Sequence, residues 1–168
     1  STNGKALRIK ESDIRPSGRQ AGGVTGIKLQ GDDLLASMDV VSPGGFLLVA
    51  TLNGFGKRTQ LDAYPTKNRA TQGVTALDDR YILKTGHICA ARVVNNEDEI
   101  TMVSANGIML RVKVEAVPVS GRSTRGSIIM ALGEGDALSS LACLSADFLQ
   151  TESGEEEIPP SKGSKKED

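Results

Sequence analysis

Hydrophobic and polar residues of this chain form short stretches that recur about every 50 residues. Residues 5–10 and 108–113 alternate between aliphatic side chains on one face and Arg or Lys on the other. This period of two, with β-branched residues, is typical of a half-buried β-strand. An apolar run at 46–52 or 100–105 leads into the second and third such stretches through an Asn-Gly dipeptide, which suits a type I′ turn. The pattern therefore predicts repeated β-hairpins.

The repeat has a fixed skeleton of an Asn-Gly turn, two arginines and a closing glycine. Its second copy lies 50 residues after the first, and its third lies 103 residues after the first. A period near 50 residues is typical of propeller-like or solenoid arrays. The three copies are Asn3-Gly4, Arg8, Arg19 and Gly23; Asn53-Gly54, Arg58, Arg69 and Gly73; and Asn106-Gly107, Arg111, Arg122 and Gly126.

Each copy is followed by two further apolar stretches separated by a polar turn. No amphipathic helical pattern of ten or more residues occurs. We therefore predict an all-β, propeller-like array of three four-stranded blades, at about residues 1–45, 46–98 and 99–144. The predicted strands after the hairpins are 24–29 and 34–41, 74–77 and 87–94, and 128–132 and 137–144.

The hairpin of the middle blade departs from the other two. Arg58 keeps the outer-face position, but Lys57 and Thr59 stand where apolar residues stand in the other copies. We therefore expect this strand to lie near an edge or rim of the array.

The two ends of the chain differ from its repetitive body. The strand that should precede the Asn3-Gly4 turn would lie before Ser1, so we expect the chain to be part of a longer protein or to receive a strand from another chain. From Ser145 the periodicity stops, and acidic, Pro and Lys residues dominate. Such a composition cannot form a core, so residues 145–168 are predicted to be a disordered acidic tail.

The charge is distributed unevenly along the chain. Its net charge is −1, but residues 1–144 hold 17 basic and 14 acidic residues, whereas 145–168 hold 3 and 7. A basic body with an acidic tail is typical of chains that handle nucleic acid. Aromatic residues make up only 3% of the chain, which argues against binding single strands by base stacking.

The basic residues that recur in phase are the main functional signal. Arg8, Arg58 and Arg111 should lie at equivalent places on successive blades, and so should Arg19, Arg69 and Arg122, with five neighbouring cations beside them: Lys10, Arg15, Lys67, Lys113 and Arg125. A charge that repeats with every blade suits the phosphate backbone of duplex DNA. Alternatively, these arginines cap carbonyl groups of their own loops or are solvated edge charges.

Other candidate chemistry finds little support. His87 is the only histidine and lacks a set of metal-ligating neighbours, and the segment from Gly54 to Lys57 is a hairpin rather than a phosphate loop because no helix follows. The Arg80-Tyr81 pair, which resembles that of a DNA-cleaving topoisomerase, lies at a turn without a metal-binding acidic cluster. Adjacent aspartates in turns make poor acid–base partners. We therefore predict no catalytic residue, no metal site and no small-molecule substrate.

The chain is expected to be soluble and intracellular. Cys89 and Cys143 lie in apolar runs without a CxxC partner, as buried free thiols do in a reducing compartment. No apolar run approaches the roughly 20 residues that span a bilayer, and no signal peptide opens the sequence.

Three stretches closely resemble the C-terminal domain of the A subunit of DNA gyrase. The longest runs from Asn53-Gly-Phe-Gly-Lys-Arg-Thr through Tyr64-Pro-Thr-Lys-Asn-Arg-Ala-Thr to Gly73-Val74. The others are Arg8-Ile-Lys-Glu-Ser with Ile14-Arg15, and residues 119–126. The likeness covers residues 1–144, and the acidic tail also resembles that family's terminus.

The resemblance implies a β-pinwheel whose blades exchange strands, of which this sequence would be the last three of about six. It implies wrapping of duplex DNA around a basic rim in support of negative supercoiling, with the other parts of gyrase A and the B subunit as partners in the bacterial cytoplasm, near the nucleoid. ATP and Mg²⁺ would belong to other parts of that enzyme, so no cofactor is expected here. The implied DNA contacts are Arg8, Lys10, Arg15, Arg19, Lys57, Arg58, Lys67, Arg69, Arg111, Lys113, Arg122 and Arg125.

One departure from the family keeps alternatives open. The family's Gln-Arg-Arg-Gly-Gly-Lys-Gly box has its nearest counterpart at Arg19–Gly26, which lacks the central arginines and the lysine. The chain alone would then bend DNA without completing a wrap. The related domain of the topoisomerase IV A-type subunit is one alternative, and a protein-interaction propeller without DNA binding is another.

Overall fold

Short β-strands make up most of the regular structure in residues 1–146, the part of the chain that the computed structural model describes. One helix of four residues, α1 (Ile82–Thr85), interrupts them. The strands are β1 (Lys5–Ala6), β2 (Phe46–Thr51), β3 (Phe55–Gln60), β4 (Val74–Thr75), β5 (Ile88–Val94), β6 (Glu99–Ser104), β7 (Met109–Lys113), β8 (Ser127–Ile128) and β9 (Leu138–Leu144). The all-β prediction is confirmed.

The middle sheet has the four strands predicted for a blade, whereas the other two sheets of the described residues have two and three strands. Its strand order is β5-β2-β3-β8. The apolar run of β2 is buried at its centre, paired on one side with β5 and on the other with β3 across the Asn53-Gly54 turn. Gly54 has φ +76°, a conformation that glycine adopts without steric cost. The fourth strand of this sheet, β8, comes from the following repeat.

Strand exchange joins neighbouring repeats. Strand β4 of the second repeat pairs with β1 of the first, and β8 of the third repeat pairs with β3 of the second, in the same antiparallel register. We call β4, β8 and the equivalent residues 23–25 the donor segments, and the strands β1, β3 and β7 the acceptor strands. An exchange loop connects the acceptor strand of each repeat to its donor segment. The three exchange loops are residues 10–23, 61–73 and 114–126, and each has a 3-10 turn near its start.

The core lies between blades rather than inside one sheet. Leu48 and Val94 of the second repeat pack with Ile100, Met102 and Leu138 of the third, and all five are almost completely buried. A smaller cluster around Val49 and Leu77 joins the first repeat to the second. Since both clusters cross a repeat boundary, each blade depends on its neighbour for a buried interior.

The first blade is less regular than predicted. Residues 24–29 contain only an isolated bridge between Ile27 and Thr71, and 34–41 form no strand. Met38 is 83% exposed and Val40 is 81% exposed. Strand β5 lies beside this segment, but its N–H groups at Ala91 and Val93 donate to the side chains of Ser37 and Asp39 rather than to backbone carbonyl oxygens, so no regular ladder forms. The predicted strands at 24–29 and 34–41 are therefore wrong as assigned. The predicted tail lies almost entirely outside the described residues.

Residues 1–146 include no helix long and apolar enough to cross a bilayer.

Candidate nucleic-acid interface

Lys57 holds the third repeat against the second. Its side chain projects from β3 into the third exchange loop, and the residue is only 1% exposed. The Nζ atom donates hydrogen bonds to the carbonyl oxygens of Gly121 (2.9 Å) and Thr124 (2.8 Å), and also to that of Arg122. Burial, with a smaller repulsion from Arg122, lowers the pKa of Lys57 to about 8, so the ammonium group remains mainly protonated at neutral pH. Lys57 is an inter-blade clamp.

Arg58 secures the same junction from the other side of β3. Its Nε atom donates to the carbonyl oxygen of Val117 (2.7 Å) and its Nη2 atom to that of Glu115 (3.1 Å). The Nη1 atom donates to Oδ1 of Asn96, and the guanidinium lies 4.9 Å from the centre of the Phe46 ring. This side chain has four partners and is only 9% exposed, so its guanidinium has little free surface with which to contact an external phosphate.

The predictions for Lys57 and Arg58 are therefore corrected. Arg58 does not lie on an outer face, and neither residue is available to bind DNA in this structure. The physical reason is strand exchange: β8 pairs with the edge of β3, and the third exchange loop contacts the side chains on both faces of β3. Buried cations need acceptors, and the backbone carbonyls of that loop supply them.

Arg8 and Arg111 occupy the equivalent positions of the first and third repeats. Arg8 is half-buried, and its Nη1 atom donates to the carbonyl oxygen of Leu61 at the start of the second exchange loop (3.1 Å). Arg111 is exposed and pairs with Glu99 of its own hairpin, because no further exchange loop covers β7 within residues 1–146. Arg8 and Arg58 thus belong to blade junctions, whereas Arg111 is exposed on its own hairpin, and the three in-phase arginines do not share one environment.

Exposed positive charge instead collects in the second parts of the exchange loops. Residues 14–23, 64–73 and 117–126 are equivalent under the offsets of 50 and 103, and each segment has two basic residues and no acidic one. We call these three stretches the basic segments. Their cations are exposed, except that Arg122 is half-buried; they are Arg15 and Arg19, Lys67 and Arg69, and Arg122 and Arg125.

Backbone hydrogen bonds fix the second and third basic segments against the preceding repeat. The Lys67 N–H donates to the Arg8 carbonyl oxygen (2.9 Å), and the Ser120 N–H donates to the Arg58 carbonyl oxygen (2.9 Å). Farther along, the Asp78 N–H donates to the Ser123 carbonyl oxygen, so the third segment meets the residues that follow the second. These two basic segments are therefore fixed on adjoining blades.

Individual cations of the basic segments differ in how firmly they are held. Arg69 donates from Nη1 to the carbonyl oxygen of Thr25 in the preceding repeat (3.3 Å), and Arg125 lies 5.6 Å from the centre of the Phe55 ring. Arg69 therefore caps a carbonyl of the preceding repeat rather than one of its own loop, and its side chain stays exposed. Beside the segments, Lys10 and Lys113 are exposed, and Lys113 lies 3.9 Å from Glu115.

Sequence reasoning missed several residues that support this framework. Nothing in the sequence indicated that Asn96 and Phe46 would flank Arg58. For Asp33 and Asp136 the sequence did contain a signal of a shared structural role, because each lies 30 residues after the Asn of its hairpin turn. Oδ1 of Asp33 accepts the backbone N–H of Asn3 (2.9 Å), and Oδ1 of Asp136 accepts that of Asn106 (3.1 Å).

A cleft, two thiols and the acidic side chains are the other chemical features of residues 1–146. A cleft of about 680 Å³ has both lysines and aspartates in its lining, including Lys28 and Asp79. Burial raises the pKa of the Cys89 thiol and, with the neighbouring Asp98 carboxylate, that of Cys143 to about 11, so both thiols are protonated at neutral pH. In residues 1–146, His, Cys, Asp and Glu side chains nowhere gather in threes that could hold a metal ion.

Comparison with known proteins decides the family. The family model described as "DNA gyrase C-terminal domain, beta-propeller" matches residues 1–42, 45–95 and 98–145, one match per repeat. This chain belongs to the DNA gyrase C-terminal domain family. The A subunit of DNA gyrase from Salmonella typhimurium is 42% identical over 134 residues, which cover 80% of this chain and 15% of that protein. The chain thus spans less than a fifth of the curated relatives it matches.

Two solved structures of related domains have the same fold as this chain. A structure of a DNA gyrase A C-terminal domain has a TM-score of 0.78 and 30% identity, and the match covers 83% of this chain and 47% of that one. The C-terminal domain of DNA topoisomerase IV has a TM-score of 0.79 and 28% identity, covering 87% and 45% respectively. Each solved domain is about twice as long as this chain.

Proposed function

We propose that this chain is a DNA-binding and DNA-bending module of the A subunit of DNA gyrase. The duplex runs along the basic segments, which contact its phosphates without reading its sequence. The observation that carries the proposal is the distribution of charge: three equivalent, adjoining segments each have two basic residues and no acidic one. A double helix has a repeating negative charge, and a protein that repeats positive charge on a fixed framework can follow it.

Many weak contacts suit bending better than one tight contact. Bending a site of 20–30 base pairs by 40–90° costs on the order of 1–6 kcal/mol. No single exposed arginine can offset that cost, since each phosphate contact is screened by salt. Six cations distributed over three blades can share it. The inter-blade clamps matter here because a bent duplex pulls against the framework that presents the charges.

In the full enzyme we propose a supporting role in supercoiling. Bound DNA would be presented with a fixed hand to the remainder of gyrase A and the B subunit, which would provide strand passage, ATP hydrolysis and Mg²⁺ binding. No catalytic role is proposed for residues 1–146. The relatives that are A subunits of DNA gyrase are what supports this role in the full enzyme.

The salt dependence of duplex affinity tests this proposal. Replacing Arg19, Lys67 and Arg125 with glutamine removes one cation from each basic segment. We expect the slope of log affinity against log salt to become shallower by about 2.7, since each phosphate contact contributes about 0.9. Fluorescence anisotropy with a labelled duplex at several salt concentrations measures the slope.

A matched variant separates this effect from net charge. Replacing Arg80, Lys84 and Arg92 with glutamine removes the same charge from exposed residues outside the exchange loops. This control should leave the slope near the wild-type value. Equal slopes for the two triple variants would contradict the proposal.

The C-terminal segment provides a further prediction. Residues 145–168 have 7 acidic and 3 basic residues, so they can compete with phosphates for the basic segments. Deleting them should tighten duplex binding, most strongly at low salt, where screening is weakest. Titrations of the full and shortened chains with the same duplex provide the comparison, and unchanged affinity would remove the tail from the mechanism.

The corresponding domain of topoisomerase IV is the second candidate, favoured by the TM-score of 0.79. Ligating nicked circular DNA in the presence of the chain tests for wrapping. A change of the linking number with one sign would favour a gyrase module, whereas an unchanged linking number would show bending alone, which the departure at Arg19–Gly26 allows for either candidate.

A further inference from the structure

The third exchange loop surrounds a buried charge with backbone carbonyl groups. Lys57 is 1% exposed, and its Nζ atom donates to the carbonyl oxygens of Gly121, Arg122 and Thr124. Strands β2, β3 and β8 and the third basic segment contain no acidic residue. The oriented carbonyl groups of the loop, rather than a carboxylate of these elements, therefore balance the charge of Lys57.

The same peptide groups have their positive ends on the outside of the loop. In a trans peptide the C=O and N–H bonds point in opposite directions, and the described residues include no cis peptide. Because three carbonyl groups point towards Lys57, the N–H groups of Arg122, Ser123 and Arg125 point away from it. None of these three N–H groups donates to an acceptor within residues 1–146. The exposed side of the loop thus has free donors beside two guanidinium groups.

The second exchange loop differs at the equivalent positions. Leu7 stands where Lys57 stands in the next repeat, so no buried ammonium orients that loop. The N–H group of Ala70, which is equivalent to that of Ser123, donates to the carbonyl oxygen of Gly26 in the preceding repeat (2.6 Å). An outward, unbonded N–H group at this position therefore accompanies the buried lysine.

These donors suit a phosphodiester group. Backbone N–H groups and arginine side chains both contact phosphate oxygens in protein–DNA complexes, where they fix the register of the protein on the duplex. Backbone N–H groups that point out of a loop also attract anions through their partial positive charge. The charges of Lys57 and Arg122 repel each other, and an anion bound at this loop would offset that repulsion.

We propose that the third exchange loop binds a phosphate of the duplex through its outward N–H groups, and that buried Lys57 is the positioning residue that sets their direction. The inference rests on the proposed function, because it names one phosphate-binding site on the path of the duplex. Lys57 acts here without touching DNA. A phosphate held by the backbone has less freedom than one held by a long side chain, so this loop fixes where the duplex lies on the blades.

Two variants of Arg122 isolate the contribution of an N–H group. Arg122→Gln and Arg122→Pro both remove the guanidinium, but only proline removes the N–H group. Arg122 is the second residue of the turn in which the Thr124 N–H donates to the Gly121 carbonyl oxygen (3.3 Å), and proline is favoured there. Arg122→Pro should keep the circular dichroism spectrum and bind duplex roughly five- to tenfold more weakly than Arg122→Gln. Equal affinities of two folded variants would overturn the proposal.

Amide chemical shifts of the wild-type chain test the same contact without a mutation. Adding a short duplex should move the amide proton signals of Arg122, Ser123 and Arg125 downfield, as a new hydrogen bond to phosphate does. The signal of Ala70 is the matched control and should stay in place, since its N–H group already has an acceptor. Signals that remain unshifted at all three positions of the third loop would also overturn the proposal.

The charged groups around Lys57 determine how its proton responds to a bound phosphate. Arg122 repels the ammonium from the third loop, whereas Glu115 of that loop lies 3.9 Å from Lys113 instead. Burial raises the pKa of the Tyr64 hydroxyl in the second loop, so it stays neutral. Strands β2 and β8 have no charged residue. A phosphate at the loop would therefore add the negative charge that Lys57 lacks.

The pH profile of duplex binding reports this coupling. The pKa of Lys57 is about 8, and a bound phosphate should raise it. The complex then holds more protons than the free chain near pH 8, so affinity should fall as the pH rises, by about threefold between pH 7 and pH 9. Lys57→Met should lose this dependence, although it keeps every other titrating group. An equal dependence in the variant would exclude Lys57 as the positioning residue.

Failure of this inference can be distinguished from failure of the proposed function. If the triple variant of the basic segments keeps the wild-type salt slope, the proposed function fails, and this inference fails with it. If that slope becomes shallower but the two Arg122 variants bind equally, only the backbone phosphate site is wrong.

Discussion

Replacing Lys57 with methionine is expected to lower the free energy of unfolding by about 2–4 kcal/mol, because the variant deletes charged hydrogen bonds to three carbonyl oxygens and removes the Lys57 donor from those of Arg122 and Thr124, whereas that of Gly121 still accepts from Thr124. Methionine retains much of the side-chain volume, so packing changes are small beside the lost hydrogen bonds. The loss should appear as detachment of the third exchange loop. Urea denaturation followed by circular dichroism measures the change.

Lys67 provides the matched control for Lys57. It lies in the second basic segment and is exposed. Lys67→Met should change the free energy of unfolding by no more than about 0.5 kcal/mol, as is usual for surface substitutions. Similar stabilities of the two variants would show that Lys57 is not an inter-blade clamp.

Gly54→Ala should lower the free energy of unfolding by about 2–5 kcal/mol, for two reasons. The φ of +76° at this turn costs an alanine roughly 1–2 kcal/mol. In addition, the new Cβ would press on the backbone carbonyl of Met130 in the next repeat, and overpacking of this kind costs about 1–3 kcal/mol. The donated strand must move away or the turn must distort. Urea denaturation again reports the loss.

Gly107→Ala isolates the inter-blade part of that effect. Gly107 occupies the equivalent turn with φ +81°, but no neighbouring atom lies within 4 Å of an added Cβ. The monomer should therefore lose only the conformational cost of roughly 1–2 kcal/mol. If both alanine variants lose the same free energy, contact across the blades does not constrain Gly54.

Hairpins were the most predictable part of this fold. Alternation, apolar runs and Asn-Gly turns are local signals, and the predicted strands at 46–52, 87–94, 100–105, 108–113 and 137–144 agree with β2, β5, β6, β7 and β9 to within a few residues. The strands at 24–29 and 34–41 failed for a non-local reason. A strand needs a regular backbone ladder with its neighbour, and the apolar pattern does not reveal that β5 bonds the side chains of Ser37 and Asp39 instead, or that 24–29 makes only one bridge, at Ile27.

The roles of the cations were harder to predict than the strands. Alternation indicates which side chains share a face, but it cannot show that a later segment covers that face. For Arg58, the covering loop begins more than 50 residues away. Lys57 did give a local warning, since it stands where Leu7 and Leu110 stand in the other repeats. A lysine at an apolar position predicts a strand at the edge of the array. Backbone carbonyl acceptors instead allow this lysine to be buried.

Lysine acetylation, followed by mass spectrometry with and without duplex DNA, tests most directly whether cations divide into inter-blade clamps and DNA contacts. Lys67 should react in the free chain and be protected by DNA, Lys84 should react equally in both states, and Lys57 should be unreactive in both. Reactive Lys57 that becomes protected by DNA, together with Lys67 that stays equally reactive, would contradict this division.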